Sequence, residues 1–326
     1  TVWCFDSKTG EVVWKKSSPE KLAAKYYTGG PGATPTIDGD RVYILSKSGR
    51  LSCHDLANGD EKWVASYKKD FDGNMPTWGF SASPIVFGDL LLCLPCAKGG
   101  ALVALDKVTG EFKWKSGNIA RPGYSAPVLF KHQGNDAALV FHGRSLVGYD
   151  LTRKGEVLFT YPWRTPYDVN ASNPIFHEGM VFMASGYGMG YAVLDVTGAE
   201  PKVLHRDRDL PMIFQNAFLV GDHVMGCFGD KRVRARLFRM DLKSGGILWK
   251  YELPGTRAST AKIGETLVIL CEDGHLVFGE ADERKFTESS RHKVLDRLCW
   301  APIAIGEGKA FARTNQGKAI CLDLTE

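Results

Sequence analysis

The sequence predicts an all-β protein, a β-propeller built from four-stranded blades. A nine-residue segment with Asp first, Gly fifth and Trp last occurs four times, at 6–14, 55–63, 106–114 and 241–249. Its acidic first residue, with weaker copies included, recurs every 39 to 51 residues along the whole chain. Each interval has room for four short strands, and a fixed period of this length with four strands per repeat is typical of propeller blades.

The repeat over residues 81–117 shows the order of the four predicted strands, which we name A to D. Strand A covers 81–87, B covers 90–94, C covers 101–106 and D covers 111–115. Gly88-Asp89 suits a two-residue hairpin turn between A and B, and Gly110 provides a positive-φ position between C and D. The B strands are apolar on both faces, as expected for blades packed between two neighbours.

Strand A has a signature of its own, a small residue followed by proline. Proline has no amide hydrogen, so it is tolerated at the first residue of a strand or on an edge strand. The signature occurs at Thr34-Pro35, Ser83-Pro84, Ala126-Pro127, Asn173-Pro174 and Ala301-Pro302, with degenerate copies at Asn216-Ala217 and Thr260-Ala261. Innermost strands around a propeller axis satisfy this condition.

The strand count predicts a single propeller domain over 1–326 with eight blades. Residues 1–17 form a partial first blade with strands C and D only, and 300–326 form an incomplete last blade with A, B and C. Full blades are predicted at 34–67, 81–117, 125–163, 172–207, 215–252 and 259–294. We expect an N-terminal segment absent from this sequence to supply the three missing strands. The alternative is seven blades, with 11–15 completing the last blade and 2–5 left over.

The composition is that of an ordinary globular protein, with 44% hydrophobic and 24% charged residues. A net charge of +4 is small for 326 residues, so it predicts no nucleic-acid partner. No apolar run approaches the roughly 18 residues that a membrane-spanning helix needs. No secretory signal is visible in the sequence. No Walker loop, dinucleotide fingerprint or nucleophile elbow is present either.

The eight cysteines and eight histidines do not form a recognisable metal or redox motif. Most cysteines fall in apolar strands or two residues before a repeat acid, where cysteine behaves as a small hydrophobic residue. Cys93 and Cys96 have CxxC spacing, but Ala97 follows and excludes covalent haem attachment. The histidines are scattered at non-equivalent repeat positions. We therefore expect free thiols and no metal site, although a bridge between neighbouring blades stays open.

The repeated Asp-x-x-Thr-Gly-Glu-x-x-Trp segment, seen best at 6–14 and 106–114, resembles the repeat of PQQ-like, quinoprotein-type propellers. Residues 32–43 and 74–81 also resemble stand-alone bacterial PQQ-like repeat proteins. This family includes quinoprotein alcohol dehydrogenases and the lipoprotein propeller of the outer-membrane assembly machinery. The dehydrogenases bind PQQ and calcium with a catalytic Asp and a pair of adjacent cysteines. No two cysteines are adjacent here, so the resemblance implies the fold and no expected cofactor. WD40-like propellers have a related fold. The WD40 signature does not recur in this sequence, so an ordinary WD40 protein is less favoured.

The loops that vary between repeats are the predicted functional surface, because binding residues concentrate on loops held by a rigid scaffold. The D–A and B–C loops share one face of a propeller, and their aromatic, amide and arginine residues would ring its mouth. The candidate binding rim consists of Tyr27, Trp78, Arg121, Tyr124, Arg144, Trp163, Arg164, Asn173, Tyr187, Asn216 and Trp300. These aromatics could instead fill the central channel and bury the loop stems. No catalytic residue is assigned.

These observations favour a non-catalytic scaffold whose loop face binds a protein or a glycan. The family resemblance implies a bacterial extracytoplasmic location, periplasmic or secreted. The alternative is a PQQ-dependent or other oxidoreductase with its cofactor over the propeller axis. The oligomeric state does not follow from the sequence.

Overall fold

A computed structural model describes residues 1–22, 30–119, 121–296 and 298–324. The chain divides into two compact units, one of Thr1–Ala171 with Thr197–Pro201 and the other of Ser172–Val196 with Lys202–Glu326. The regular secondary structure of both units is almost entirely antiparallel sheet. Among the described residues, no helix has the length and apolar character needed to cross a membrane.

The first unit contains a two-stranded hairpin and three four-stranded sheets. The hairpin is β1 (Val2–Phe5) and β2 (Val12–Lys16). The sheets are β3 (Thr36–Asp38), β4 (Arg41–Leu45), β5 (Arg50–Asp55) and β6 (Glu61–Ser66); β7 (Ile85–Phe87), β8 (Leu90–Cys93), β9 (Leu102–Asp106) and β10 (Phe112–Ser116); and β11 (Val128–His132), β12 (Asn135–Phe141), β13 (Ser145–Asp150) and β14 (Glu156–Pro162). A short helix, α1 (Tyr67–Phe71), follows β6, and a 3₁₀ turn covers Pro166–Asp168.

The second unit contains three four-stranded sheets and one three-stranded sheet. They are β15 (Ile175–His177), β16 (Met180–Ser185), β17 (Gly190–Asp195) and β18 (Lys202–Asp207); β19 (Ala217–Val220), β20 (His223–Phe228), β21 (Arg236–Asp241) and β22 (Ile247–Glu252); β23 (Ala258–Ile263), β24 (Thr266–Cys271), β25 (His275–Ala281) and β26 (Phe286–Lys293); and β27 (Ala304–Gly306), β28 (Lys309–Arg313) and β29 (Ala319–Asp323). Strands pair in chain order within each sheet.

The prediction of eight blades is wrong, because the described residues form seven. Seven sheets have three or four strands, whereas β1 and β2 form only a hairpin. The repeat acid marks the turn between strands C and D, and a lone hairpin carries that turn as well as a complete blade does. Counting this hairpin as part of a further blade therefore overestimates the number of blades. The seven-bladed alternative assigns residues 2–5 to no blade and 11–15 to the last blade. In the structure, Val2–Phe5 instead pairs with Val12–Lys16 as a hairpin.

The repeated segment has a local and a tertiary role. At Asp106, Oδ1 accepts hydrogen bonds from the amides of Val108 and Thr109, both at 2.9 Å, which closes the turn. Gly110 has φ +76°, a conformation that glycine adopts without strain. A Cβ at Gly110 would lie 2.6 Å from the indole of Trp63, the last residue of the previous copy. Trp63 Nε1 also donates to the carbonyl of Lys107 at 3.2 Å.

The same packing recurs along the first unit, so the repeated tryptophans join neighbouring sheets. A Cβ at Gly59 would lie 2.7 Å from Trp14, and one at Gly155 would lie 2.6 Å from Trp114. The hydrophobic core lies between successive sheets in the same way. One cluster, for example, joins Tyr43 and Leu51 of one sheet to Leu91 and Val103 of the next. The apolar B and C strands of the four-stranded sheets are largely buried, whereas β1 and β29 of the terminal sheets are not.

Candidate functional site

The structure describes ten of the eleven residues predicted for the binding rim. Tyr27 lies outside the described residues. Four of the ten, Trp78, Arg121, Tyr124 and Arg144, contribute to one cluster in the first unit. Trp163 of the same unit is 2% exposed and belongs to the core, while Arg164 next to it is exposed. The other four, Asn173, Tyr187, Asn216 and Trp300, belong to the second unit.

Three aromatic side chains from three loops form a cluster in the first unit, which we call the aromatic cluster: Trp78, Tyr124 and Tyr167. The ring centres of Trp78 and Tyr124 are 6.0 Å apart, and those of Trp78 and Tyr167 are also 6.0 Å apart, nearly edge to face. The backbone amide of Trp78 donates to the hydroxyl of Tyr124 at 3.4 Å. Tyr167 is 70% exposed, so its ring presents a large apolar surface to solvent.

The backbone that carries Tyr167 is strained. Tyr167 and Asp168 have φ values of +62° and +58°, in the left-handed region that residues other than glycine rarely adopt. Such conformations cost about 1–3 kcal/mol each and concentrate at functional sites. The amide of Asp168 donates to the carbonyl of Thr165 at 3.2 Å, which closes the turn. The turn thus keeps an exposed tyrosine in place although its conformation is unfavourable.

Asp168 links two arginines to the aromatic cluster. Its Oδ1 accepts a hydrogen bond from Nε of Arg144 at 2.8 Å, and its Oδ2 lies 3.9 Å from Nη1 of Arg121. Both arginine side chains are exposed, so the pairs contribute little to stability. They do restrict where the two guanidinium groups lie. One carboxylate for two arginines leaves a local excess of positive charge beside Tyr167.

A buried amide holds the loops of the cluster together. Asn170 is fully buried, and its Nδ2 donates to the carbonyl of His142 at 2.8 Å. The backbone carbonyl of Asn170 accepts hydrogen bonds from the backbone amides of Tyr124 and Ser125 at 2.8 and 3.2 Å. At Gly143, a Cβ would lie 2.7 Å from the side chain of Asp168. The sequence did not single out Asp168 or Asn170, because neither belongs to a repeat motif.

Asn173 and Asn216 have a structural role at equivalent positions of neighbouring repeats. The amide of Asn173 donates to Oδ1 of Asn216 at 2.8 Å. The same contact occurs in the first unit, where the amide of Thr34 donates to Oγ of Ser83 at 2.8 Å. All four residues stand at the small-residue position before strand A. The side chain at this position therefore joins adjacent blades, which explains why small polar residues recur there.

Trp300 lies apart in sequence from the other rim residues and lines a small cavity of the second unit. Its Nε1 donates to Oε1 of Glu272 at 2.6 Å, and its ring centre is 5.6 Å from that of Phe214. Tyr187 of the same unit is 40% exposed and has φ +60°. It resembles Tyr167 in being an exposed tyrosine on a strained turn.

The described residues include one group with the geometry of a metal site. His177, Glu178 and Asp222 bring three potential ligand atoms within 4.8 Å of one another. Nζ of Lys243 lies 3.1 Å from Asp222 and 3.6 Å from Glu178, so a lysine cation already balances both carboxylates. His177 Nε2 is 2.9 Å from Asp222 Oδ1, and this contact and Lys243 lower the pKa of Asp222.

The cysteines are not arranged for PQQ chemistry. All eight are free thiols, and none has a cysteine next to it in the sequence. Cys93 and Cys96 are buried, and burial raises the pKa of each thiol to about 12. Such thiols remain protonated and unreactive at neutral pH. Lys243 lies beside the described cluster of His177, Glu178 and Asp222 and pairs with both of its carboxylates.

A family model described as "Outer membrane protein assembly factor BamB" matches residues 1–251. The chain belongs to this BamB family. A search of curated protein sequences found no match. The membership confirms the predicted PQQ-like resemblance.

Solved structures that are similar to this chain include BamB from Moraxella catarrhalis. It is 16% identical, with a TM-score of 0.67 over 97% of this chain and 87% of that one. Quinohemoprotein alcohol dehydrogenase from Comamonas testosteroni is 13% identical, with a TM-score of 0.67 over 95% of this chain and 67% of that one. The computationally designed Ika8 protein is 11% identical, with a TM-score of 0.55 over 90% and 96%. These similarities show the β-propeller fold, with its four-stranded blades. BamB and an alcohol dehydrogenase share this fold, so fold alone does not decide the function.

Proposed function

We propose that this chain is a non-catalytic propeller that binds a partner protein through the aromatic cluster and the adjacent Arg121 and Arg144. The observation that carries the proposal is Tyr167, a 70% exposed tyrosine kept on a strained turn. The rest of the cluster holds it in position without covering it. Tyrosine, tryptophan and arginine are the residue types most enriched where protein interfaces derive their binding energy.

The chemistry of the cluster specifies the partner more closely. Ring faces of Trp78 and Tyr167 suit an aliphatic or aromatic anchor, and two arginines sharing Asp168 suit carboxylates. We therefore expect a protein segment with an apolar anchor flanked by acidic side chains. A glycan would use the ring faces but would gain less from the positive charge, so protein is the favoured partner.

The family supports an extracytoplasmic bacterial location. The matched model describes an outer membrane protein assembly factor, and we propose a periplasmic or secreted place for this chain on that basis. A catalytic role with PQQ and calcium is disfavoured by the free thiols and by Lys243 in the described three-ligand cluster. Native mass spectrometry after addition of PQQ and calcium should show the bare polypeptide. A bound quinone with a cation would reject the non-catalytic assignment.

Site-specific photo-crosslinking tests the proposed surface. Tyr167 is replaced by p-benzoylphenylalanine, and a second protein carries the crosslinker at Val108. Val108 is also exposed, but it lies in the β9–β10 turn at the other end of the strands. We expect a discrete cross-linked protein from position 167 that is not obtained from position 108, and we expect Trp78→Ala to reduce its yield. Identical products from both positions, or none from position 167, would reject the proposal.

A further inference from the structure

A small cavity in the second unit combines aromatic walls with a buried arginine. Its volume is about 140 Å³, and its lining includes Phe214, Arg257, Ser259, Thr260 and Trp300. Cavities that take drug-sized ligands are typically about 300–1,000 Å³, so this one suits a small chemical group. The cavity shares no residue with the aromatic cluster, and what it binds does not depend on the proposed function.

Arg257 is fixed between two aromatic rings. Its guanidinium carbon lies 5.4 Å from the ring centre of Phe214 and 5.1 Å from that of Trp300. These distances are within the range of cation–π attraction. The residue is only 6% exposed. The rings and the burial together give the guanidinium a fixed orientation.

The hydrogen bonds of Arg257 involve Nη1. This atom donates to Oε1 of Glu272 at 2.9 Å and to Oγ1 of Thr256 at 3.2 Å. Glu272 also accepts from Nε1 of Trp300 at 2.6 Å, and from the hydroxyl and amide of Thr256 at 2.5 and 3.1 Å. The carboxylate is therefore well satisfied by protein donors. Its hydrogen bond to Arg257 is made through Nη1 and not through Nε.

Nε of Arg257 is buried and has no hydrogen-bond partner in the described part of the chain. A buried donor without an acceptor is unfavourable, and native proteins rarely keep one unless water or a ligand accepts its hydrogen bond. Ser259, which also lines the cavity, accepts from the amide of Ile303 at 3.0 Å through Oγ. Its hydroxyl hydrogen is then a second donor for a ligand.

We propose that this cavity binds a carboxylate group, which accepts hydrogen bonds from Nε of Arg257 and from the hydroxyl of Ser259. A planar carboxylate matches the edge of a guanidinium, and its short aliphatic stem would lie against Phe214 and Trp300. The group comes either from a small free carboxylic acid or from the glutamate side chain of a peptide. The two sources share the chemistry and are separable by experiment.

Titration with three probes tests the assignment on the complete chain. The probes are propionate, its neutral analogue propionamide, and glutamate blocked as N-acetylglutamate N-methylamide. The readout is the indole NH resonance of Trp300, assigned with Trp300→Phe. We expect propionate or blocked glutamate to shift it in a saturable manner with a millimolar dissociation constant, and propionamide to bind about tenfold more weakly or worse. Tighter binding of blocked glutamate identifies a peptide side chain, and tighter binding of propionate identifies a free acid.

The variant Arg257→Lys keeps the positive charge but lacks the Nε donor, so it should abolish the shift. Because this variant could fail to fold, the unsubstituted protein provides an independent measurement. In crystals soaked with 3-bromopropionate, the bromine anomalous signal should lie in the cavity. Absence of a saturable shift with both acids, equal binding of propionamide, or no bromine in the cavity would each overturn the proposal.

Discussion

The indole of Trp63 lies against Gly110, so closely that a methyl group on this glycine would approach it within 2.6 Å. Gly110 belongs to the next copy of the repeat. The contact explains why glycine and tryptophan recur together in the repeated segment. One copy supplies the tryptophan and the next supplies the glycine that admits it.

Gly110→Ala should therefore destabilise the protein in two ways. The alanine is strained at φ +76°, and its Cβ collides with Trp63. We expect a loss of about 2–4 kcal/mol in the free energy of unfolding, measured by urea denaturation. The matched control is Gly88→Ala, which has φ +56° and no atom within 4 Å of an added Cβ. This control should lose only about 1 kcal/mol, since it carries the backbone strain alone.

A double-mutant cycle isolates the contact itself. In a Trp63→Ala background, Gly110→Ala should cost no more than Gly88→Ala does. The collision is then gone, and only the backbone strain remains. An undiminished cost in that background would show that Trp63 does not depend on the glycine.

The buried histidine His142 should make stability depend on pH. Burial lowers its pKa from 6.5 to about 3, and its Nε2 lies 2.9 Å from the hydroxyl of Tyr149. Below its ordinary pKa the unfolded chain binds a proton that the folded chain does not, so stability falls as the pH falls from 6.5 towards 3. Between pH 6.5 and about pH 5 the loss should reach about 2 kcal/mol.

The measurement is the free energy of unfolding of the wild type and His142→Gln across that pH range. The variant should be less stable at neutral pH. It should also lack the part of the pH dependence of the free energy of unfolding that is due to His142. His292→Gln, a substitution at an exposed histidine, controls for the change of residue type. Parallel pH curves for the wild type and His142→Gln would contradict the assignment.

The buried carboxylate Glu272 should matter for stability far more than a surface glutamate. Burial alone would raise its pKa, but hydrogen bonds from Thr256 and Trp300 and the charge of Arg257 lower it below 4.5. Its contribution is thus fully present above pH 4.5 and is lost as the pH falls through the lowered value. Glu272→Gln leaves Arg257 buried without a counter-charge and should cost about 3–5 kcal/mol.

Thermal and urea denaturation of Glu272→Gln at neutral pH measure this loss. The matched control is Glu252→Gln, which removes an exposed pair with Arg234 and should cost less than about 1 kcal/mol. Equal losses in the two variants would show that the Glu272 network is not the stabilising element described above.

The sequence predicts the local parts of this fold well. The turn at Asp106 closes through hydrogen bonds to residues two and three positions later, so nine residues contain all the information it needs. The four-stranded blades follow from repetition of such segments, and this prediction is confirmed. The number of blades does not follow, because the hairpin of Val2–Phe5 and Val12–Lys16 carries the same signal as a complete blade.

The site is less predictable because its parts come from different repeats. Trp78 and Tyr124 can be selected from the sequence as aromatics on variable loops. The backbone amide of Tyr124, however, bonds to the carbonyl of Asn170, a buried residue outside any motif. Asp168 pairs with Arg144, 24 residues away, and no pattern in the sequence links them. Their amides place Asn173 and Asn216 in the predicted rim, but in the structure these two residues link adjacent blades.

The most direct test of the central proposal is the affinity of the chain for the partner identified by crosslinking at position 167. Isothermal titration calorimetry would compare the wild type, Tyr167→Ala, Trp78→Ala with Tyr167→Ala, and the control Val108→Ala. An interface centred on the aromatic cluster predicts about a 30-fold or larger loss of affinity for the double variant, as removal of a binding hot spot produces. Val108→Ala should bind as the wild type does. Wild-type affinity in the double variant would contradict the account.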